Sequence, residues 1–374
     1  MKHLRRQQIF HLFALIAIFS FTVFAQNPTP TPKVEDDNEP IKVSSRLVVV
    51  PVSVTDTSGQ PILGLTAKDF FVSEENKAQQ IEKVSDADKV PLEIAILFDV
   101  SASTDAMFQF EQDTAAKFLQ DVMRPEDHAT IFTIGEGPVL LQPRADATKS
   151  AISIKSIQPT KQQTAFYDSV TTAANYLQKN APQGTRKVLV VISDGDDTNS
   201  AGIVKAIIEA ENKIVQDKLG YDDRRNFRAK TREAAKTKEQ NKVLKALQNA
   251  DAVFYSVNPG GNSYQLNVSS AFGQSNLERF AVETGGTAFL PKFQPISLKD
   301  DLQNSYNIKK NQETLTAIFR QLANELRAQY LVQYYSEADF ALNRYVKVKV
   351  GLNNPQSYKV RAREGYFVKG PDSN

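Results

Sequence analysis

No cysteine occurs anywhere in the 374 residues. Thiol catalysis, cysteine-ligated metal sites and disulfides are excluded together, so an exported form would be stable without cross-links. Histidine is nearly as scarce. Of three residues, His3 and His11 lie in an N-terminal apolar leader, which leaves His128 at the start of a predicted strand. No G-x-S-x-G, H-E-x-x-H or Walker-type loop is present. A hydrolase needs a positioned base or nucleophile, and the chain offers no conventional set of that kind. Long apolar runs are also missing after the leader, as is a strong charge of one sign.

The leader, "MKHLRRQQIFHLFALIAIFSFTVFAQ", has a basic start at Lys2, Arg5 and Arg6 and an apolar run from about Ile9 to Phe24. It ends in Val23-Phe24-Ala25, a small-x-Ala pattern. This reads as a signal peptide over residues 1–25, cut after Ala25. The run is short for a membrane span and is interrupted by His11. With no cysteine after it, a lipid-anchored lipoprotein is excluded. The expectation is a secreted, periplasmic or cell-envelope protein without stable membrane insertion. Without the leader the chain has 42 basic and 43 acidic residues, a formal charge of −1. Nothing in that balance calls for nucleic acid or an anionic membrane.

What is present divides the chain. Residues 26–40, "QNPTPTPKVEDDNEP" with its flank, are rich in proline and charge and read as an extended linker. Residues 41–87 contain the alternating, β-branched "SSRLVVVPVSVTD" and short strands punctuated by Ser58-Gly59 and Gly64. Residues 330–368 alternate again in "YLVQYYS", "RYVKVKVGL" and "YKVRAREGYFV". Each end has too little core of its own, so the two are expected to fold together as one β-sandwich. Between them, residues 91–329 alternate apolar strands ("LEIAILFDV", "HATIFTIG", "PVLLQPR", "RKVLVVISDG", "DAVFYSVN", "GTAFLP") with amphipathic helices. Helices are predicted at Met107–Val122, Tyr167–Gln178, Val243–Asn249, Leu277–Glu283 and Thr314–Arg327. The fold class is therefore α/β: a doubly wound, mostly parallel sheet inserted in a smaller β-sandwich.

In such sheets ligands bind beyond the carboxyl ends of the strands. Asp99, Ser101 and Ser103 form D-x-S-x-S just after the first central strand. Thr164 precedes a predicted helix, and Asp194 ends "VLVVIS". Aspartate after a strand and a hydroxyl at a helix start are each common structural devices. Together they bring oxygen donors from three loops to one edge, a set that suits a hard cation. Few formal charges favour Mg²⁺, with Mn²⁺ or Ca²⁺ as alternatives. The following "SDGDDTNS" fails the EF-hand pattern, because Asn199 and Lys205 stand where glycine and glutamate are required. Asp196 and Asp197 read as rim charges and a helix cap.

"FDVSAS", "QTAFYDSV" and "VISDGDD" resemble the three parts of the metal-ion-dependent adhesion site of von Willebrand factor type A domains. The flanks "VSVTDTSGQPILGLTAKDFFVSEEN" and "ELRAQYLVQYY…YVKVKV…YKVRAREGYF" are similar to those of secreted bacterial VWFA-related proteins. The resemblance implies that Ser101, Ser103 and Thr164 ligate a metal, that Asp99 and Asp194 bind it directly or through water, and that a partner's acidic side chain fills an open position. It implies a protein-binding, adhesion or scaffold module rather than an enzyme. A metal-dependent hydrolase and a structural envelope protein with a vestigial site are the alternatives. One stretch departs from the family. About residues 204–245 are polar, with nine basic and two acidic residues from Arg224 to Lys245. With Tyr221 and Phe227 as its aromatics, it lacks a base-stacking platform and reads as a solvated helical hairpin at the metal edge.

Overall fold

The computed structural model of the chain describes residues 45–101, 105–160, 162–259, 268–296, 300–354 and 357–369. The signal peptide and the proline-rich linker lie outside the described residues. In chain order the first strands are β1 (Arg46–Thr55), β2 (Phe70–Glu74), β3 (Lys77–Gln79) and β4 (Ile81–Asp86). The central region then runs β5 (Leu92–Asp99), α1 (Asp105–Val122), β6 (His128–Ile134), β7 (Pro138–Ala145), α2 (Ala147–Lys155), α3 (Phe166–Asn180) and β8 (Arg186–Ile192). It continues with α4 (Ala201–Gln216), α5 (Tyr221–Asn249), β9 (Ala252–Val257), α6 (Val268–Thr284), β10 (Ala288–Phe289) and α7 (Asp301–Arg327). The chain closes with β11 (Tyr330–Ser336), β12 (Tyr345–Leu352), β13 (Lys359–Ala362) and β14 (Gly365–Phe367).

The central sheet has six strands in the order β10-β9-β8-β5-β6-β7. All its pairs are parallel except β6 with the edge strand β7. The near-continuous apolar strands follow from burial on both faces. On one face Ile94, Ile96 and Phe98 pack with α1, α2 and α7, through Phe108, Leu119, Ile154, Phe319 and Leu322. On the other, Ala95, Leu97 and Val191 pack with α3, α5 and α6, through Tyr167, Val170, Leu247 and Phe280. Each fully buried large side chain contributes about 1.5–3 kcal/mol.

The flanking segments share two antiparallel sheets, β13-β1-β11-β4 and β14-β12-β2-β3. Their inner faces form one core that includes Val48, Val50, Val52, Val72, Val332 and Val346. Inside it Glu74 is buried, and its carboxylate accepts hydrogen bonds from Tyr334 Oη (2.9 Å), Tyr366 Oη (2.7 Å) and Ser336 Oγ (2.8 Å). Strands β2, β11 and β14 are thereby joined through one carboxylate. At the junction with the central region, buried Arg186 donates to the carbonyls of Ala87 (3.1 Å) and Leu326 (2.8 Å) and to Gln329 Oε1. Gln329 Nε2 in turn donates to Tyr255 Oη (2.9 Å).

Helices extend further than their apolar periods indicated. Helix α7 starts at Asp301, where the Asp300 carboxylate accepts from Leu302 N (3.0 Å) and Gln303 N (3.1 Å). Its first half buries Asn307 and Asn311, which hydrogen-bond the loop carbonyls of Pro295 (2.6 Å) and Gln294 (2.9 Å). Buried asparagines break an apolar pattern while still packing. Helix α2 was not anticipated; it is short, and Asp146 caps it by accepting from Lys149 N (2.8 Å).

The polar stretch after Asp194 is an antiparallel pair of helices. Helix α4 leaves the carboxyl edge and α5 returns to the amino edge. Gly202 lies against Glu239, and Arg228 Nε meets Glu211 Oε1 at 2.5 Å. The lower half of α5 buries Val243, Leu244 and Leu247 on the sheet. Lys236 is level with the Asp196 loop, 3.4 Å from its carboxylate. Tyr221–Ala234, mostly exposed, therefore continues for about 21 Å along the helix beyond that level, at about 1.5 Å per residue.

Candidate metal centre

Strand β5 delivers Asp99 to the carboxyl edge, where it is 5% exposed. Its Oδ1 accepts from Ser101 N (3.0 Å) and Ser101 Oγ (2.6 Å). Its Oδ2 accepts from Ser193 Oγ (2.7 Å), at the end of neighbouring β8. Ser193 Oγ also accepts from Gly195 N at 3.0 Å, so a single hydroxyl sets both Asp99 and the turn that carries Asp194. Asp194 itself reaches the surface, and its Oδ1 accepts from Asp196 N (3.0 Å).

Thr164 comes from the loop before α3. Its carbonyl accepts from Thr198 N (2.9 Å) and Asn199 N (3.0 Å), and its amide donates to Thr198 Oγ1 (3.0 Å). The Thr164 loop is thus tied to the Asp194 loop by backbone. Asp197 reinforces the tie. It is buried, accepting from Tyr167 N (2.9 Å) at the start of α3, from Ser200 N (3.0 Å) and from Ser200 Oγ (2.5 Å). It caps a helix distant in sequence, whereas Asp196 occupies the rim. Asp99, Ser101, Thr164 and Asp194 therefore all lie on the three linked loops of one edge. Ser103 lies outside the described residues.

Helix α6 supports the same loop from behind. Gly195 has φ +78°, and a Cβ there would meet the Gly273 carbonyl oxygen at 2.4 Å. A Cβ on Gly273 would meet the Asp194 carbonyl oxygen at 2.6 Å. The two glycines allow backbone-to-backbone contact that side chains would block. Beside them buried Asn276 donates to Gly195 O (2.8 Å) and accepts from Gln240 Nε2 (2.6 Å) and Tyr167 Oη (3.2 Å).

Burial raises the Asp99 carboxyl to about 6, against the lowering effect of its serine donors. Buried Glu111, on α1, is raised to about 8, first by desolvation and then by the Asp99 charge. Close packing also raises Asp194. Among the described residues no lysine, arginine or histidine pairs with these three carboxyls. Nor, among the described residues, do three His, Cys, Asp or Glu side chains converge as a metal-binding group. The donors at this edge are instead mixed hydroxyls and carboxylates. The oxygen donors suit a hard cation, and the uncompensated buried carboxyls lack the positive charge that such an ion would bring. The residues present fit a divalent cation.

A family model described as von Willebrand factor type A domain matches residues 94–196, which includes Asp99, Ser101, Thr164 and Asp194 and ends within the third loop. This part of the chain is a von Willebrand factor type A domain. The match ends before the helical arm. No curated protein matches the chain. Among solved structures, proximal thread matrix protein 1 from the mussel byssus, in a form with a zinc-occupied MIDAS motif, is similar at 11% identity and a TM-score of 0.39. The similarity covers 68% of this chain and 50% of that one. The PilB minor pilin from Streptococcus sanguinis is similar at 14% identity and a TM-score of 0.40, over 63% and 62% of the two chains. BatB from Bacteroides thetaiotaomicron is similar at 14% identity and a TM-score of 0.33, over 61% and 99%. The similarity thus spans about half the length of the mussel protein.

Two supporting residues of the type A domain escaped the sequence reading. Ser193 is a hydroxyl immediately before Asp194, hidden because the strand pattern ends there. Glu111 stands three and four residues from Phe108 and Ala115, in phase with the buried face of α1. A charged residue on an apolar helix face was the available signal. His128 opens β6 at the opposite end of the sheet, 3.8 Å from Glu93. Among the described residues, no helix is long and apolar enough to cross a membrane.

Proposed function

We propose that the type A domain holds a divalent cation, Mg²⁺ or alternatively Mn²⁺ or Ca²⁺, on Asp99, Ser101, Ser103, Thr164 and Asp194, and uses it to bind an acidic side chain of a protein partner. The supporting observation is the joining of three loops around two buried or crowded carboxyls that pair with no lysine, arginine or histidine among the described residues. The cation would supply the positive charge. The chain's own residues do the positioning: Ser101 and Ser193 fix the two oxygens of Asp99, and the Thr198–Thr164 pair fixes the second loop. A metal whose protein shell is rich in neutral hydroxyls attracts an incoming carboxylate.

The reading is of a binding module, not an enzyme, in a secreted, periplasmic or envelope protein. No nucleic-acid partner is part of it. Isothermal titration of Mg²⁺, Mn²⁺ and Ca²⁺ into wild type and Asp99→Ala tests the metal. Saturable binding in wild type and none in the variant is expected; equal affinity in both would remove the proposed ligands. Capture from envelope extract, with and without chelator and with Asp99→Ala as control, tests the bridge. A partner retained equally in chelator would refute it.

A further inference from the structure

A groove of about 450 Å³ opens on the carboxyl edge next to these loops. Its walls are Val100, the β6–β7 turn at Gly135–Gly137, the start of β7, and Ser156, Ile157, Gln158, Thr160 and Gln162 from the stretch before Thr164. Hydrogen bonds fix these walls to the metal loops. Thr160 N donates to Val100 O (2.6 Å), Ala165 N to Gly135 O (2.7 Å), and Asn199 Nδ2 to Glu136 O (2.8 Å). The groove is therefore built into the same framework as Asp99 and Thr164.

Its lining has a definite chemistry. Val100 and Ile157 form a buried apolar floor, and Val139 and Leu141 expose 56% and 41% of their surface. Glu136 is the charged residue among the lining side chains, and it is exposed at the rim. Gln158 and Gln162 add amide groups. Strand β7 is an open edge of the sheet, but Pro138 and Pro143 remove two backbone donors from it. Such an edge discourages addition of a partner strand and leaves side-chain insertion. An apolar trough with one carboxylate at its rim matches a long aliphatic chain that ends in a cation.

We propose that this groove receives a lysine or arginine side chain of the protein partner, its stem along Val139 and Leu141 and its cation on Glu136. Charge complementarity at Glu136 selects that occupant over a purely apolar one. Taken with the metal reading, on which the partner's identity rests, the partner presents a basic and an acidic residue close together. The groove chemistry can be tested apart from the metal.

The first test titrates n-propylguanidinium into the purified chain, labelled at isoleucine, leucine and valine methyls, with chelator present. Saturable shifts at Val139, Leu141 and Ile157 are expected. Glu136→Gln should weaken them about threefold, the scale of an exposed ion pair, and Glu136→Lys should abolish them. Absent shifts, an unchanged response in Glu136→Lys, or equal binding of uncharged n-propylurea would overturn the proposal. The second test compares peptides that carry one aspartate with arginine, leucine or alanine one to four residues away, in Mg²⁺. Arginine peptides should bind best in wild type and lose that preference in Glu136→Gln; a preference for leucine would overturn it. If Asp99→Ala keeps the guanidinium response while no peptide depends on metal, the groove stands and the metal bridge fails.

Discussion

At the amino ends of the central strands, buried carboxylates have cationic partners. Asp127, 1% exposed, accepts from Leu92 N (2.7 Å) and Arg124 N (2.8 Å) and pairs with Arg327. Glu93 pairs with Arg144 at 2.8 Å. At the carboxyl ends of the same sheet, Asp99 and Glu111 are equally buried and pair with no cation among the described residues. Both are shifted towards protonation. The sheet, its packing and its burial are common to both ends; what differs is charge compensation. One end is finished as structure, while the other has a deficit of positive charge that an ion can fill. The proposed cation site thus coincides with what the fold leaves uncompensated among the described residues.

The comparison is broken most severely at the amino end. Asp127→Ala removes the nearer of Arg327's two carboxylates, leaving Asp88 at 3.9 Å, and leaves two backbone amides without their acceptor. A loss of about 3–5 kcal/mol in unfolding free energy is expected by urea titration. Metal affinity of the folded fraction should be unchanged, because the change is a strand length away. Altered metal binding at full folding would show that the two ends are coupled.

At the carboxyl end the sign should reverse. Asp99→Asn removes a buried charge, so the metal-free chain should gain about 1–2 kcal/mol at pH 7, less than the full charge term because one serine hydrogen bond weakens. Metal affinity should fall more than about a hundredfold. A metal-free variant less stable than wild type would contradict the uncompensated-charge picture.

The pH dependence sharpens the same point. Asp99 moves from 3.8 to about 6 and Glu111 from 4.5 to about 8 on folding. The folded chain therefore holds more protons than the unfolded chain between about pH 4 and 8. Stability of the metal-free protein should fall as pH rises through that window, with Asp99 contributing up to about 3 kcal/mol. Saturating Mg²⁺ should flatten the Asp99 part. A pH-independent denaturation midpoint between 5 and 7 without metal would count against it.

The smallest expected effect is steric. Gly273→Ala places a Cβ against the Asp194 carbonyl and shifts that loop. Helix propensity favours alanine by about 1 kcal/mol, so net stability should change little while metal affinity drops roughly 10- to 100-fold. Unchanged affinity by calorimetry would mean that the loop adapts freely.

The α/β fold class was legible because its strands are apolar on both faces and its helices amphipathic, signals that are local in sequence; the likeness to type A domains rested instead on the motifs in three loops. Asp99, Ser101, Thr164 and Asp194 were legible because strand ends and loop starts put them on one edge by topology. Asp197 was read as a helix cap and is one, but the helix it caps, through Tyr167 N, lies thirty residues away, which no local pattern indicates. Glu111 and Ser193 carried only faint signals, since a single polar residue on an apolar face has several explanations.

By itself, then, the sequence determined the alternation of strands and helices, the absence of thiol chemistry, and the oxygen-rich character of one edge. Periodicity and residue type suffice for these. Only tertiary structure decided which carboxylates meet a cation. Arg327 reaches Asp127 across 200 residues and Arg144 reaches Glu93 across 51, while nothing basic among the described residues pairs with Asp99. Charge compensation is a property of distances between segments far apart in the chain, so no local pattern can encode it.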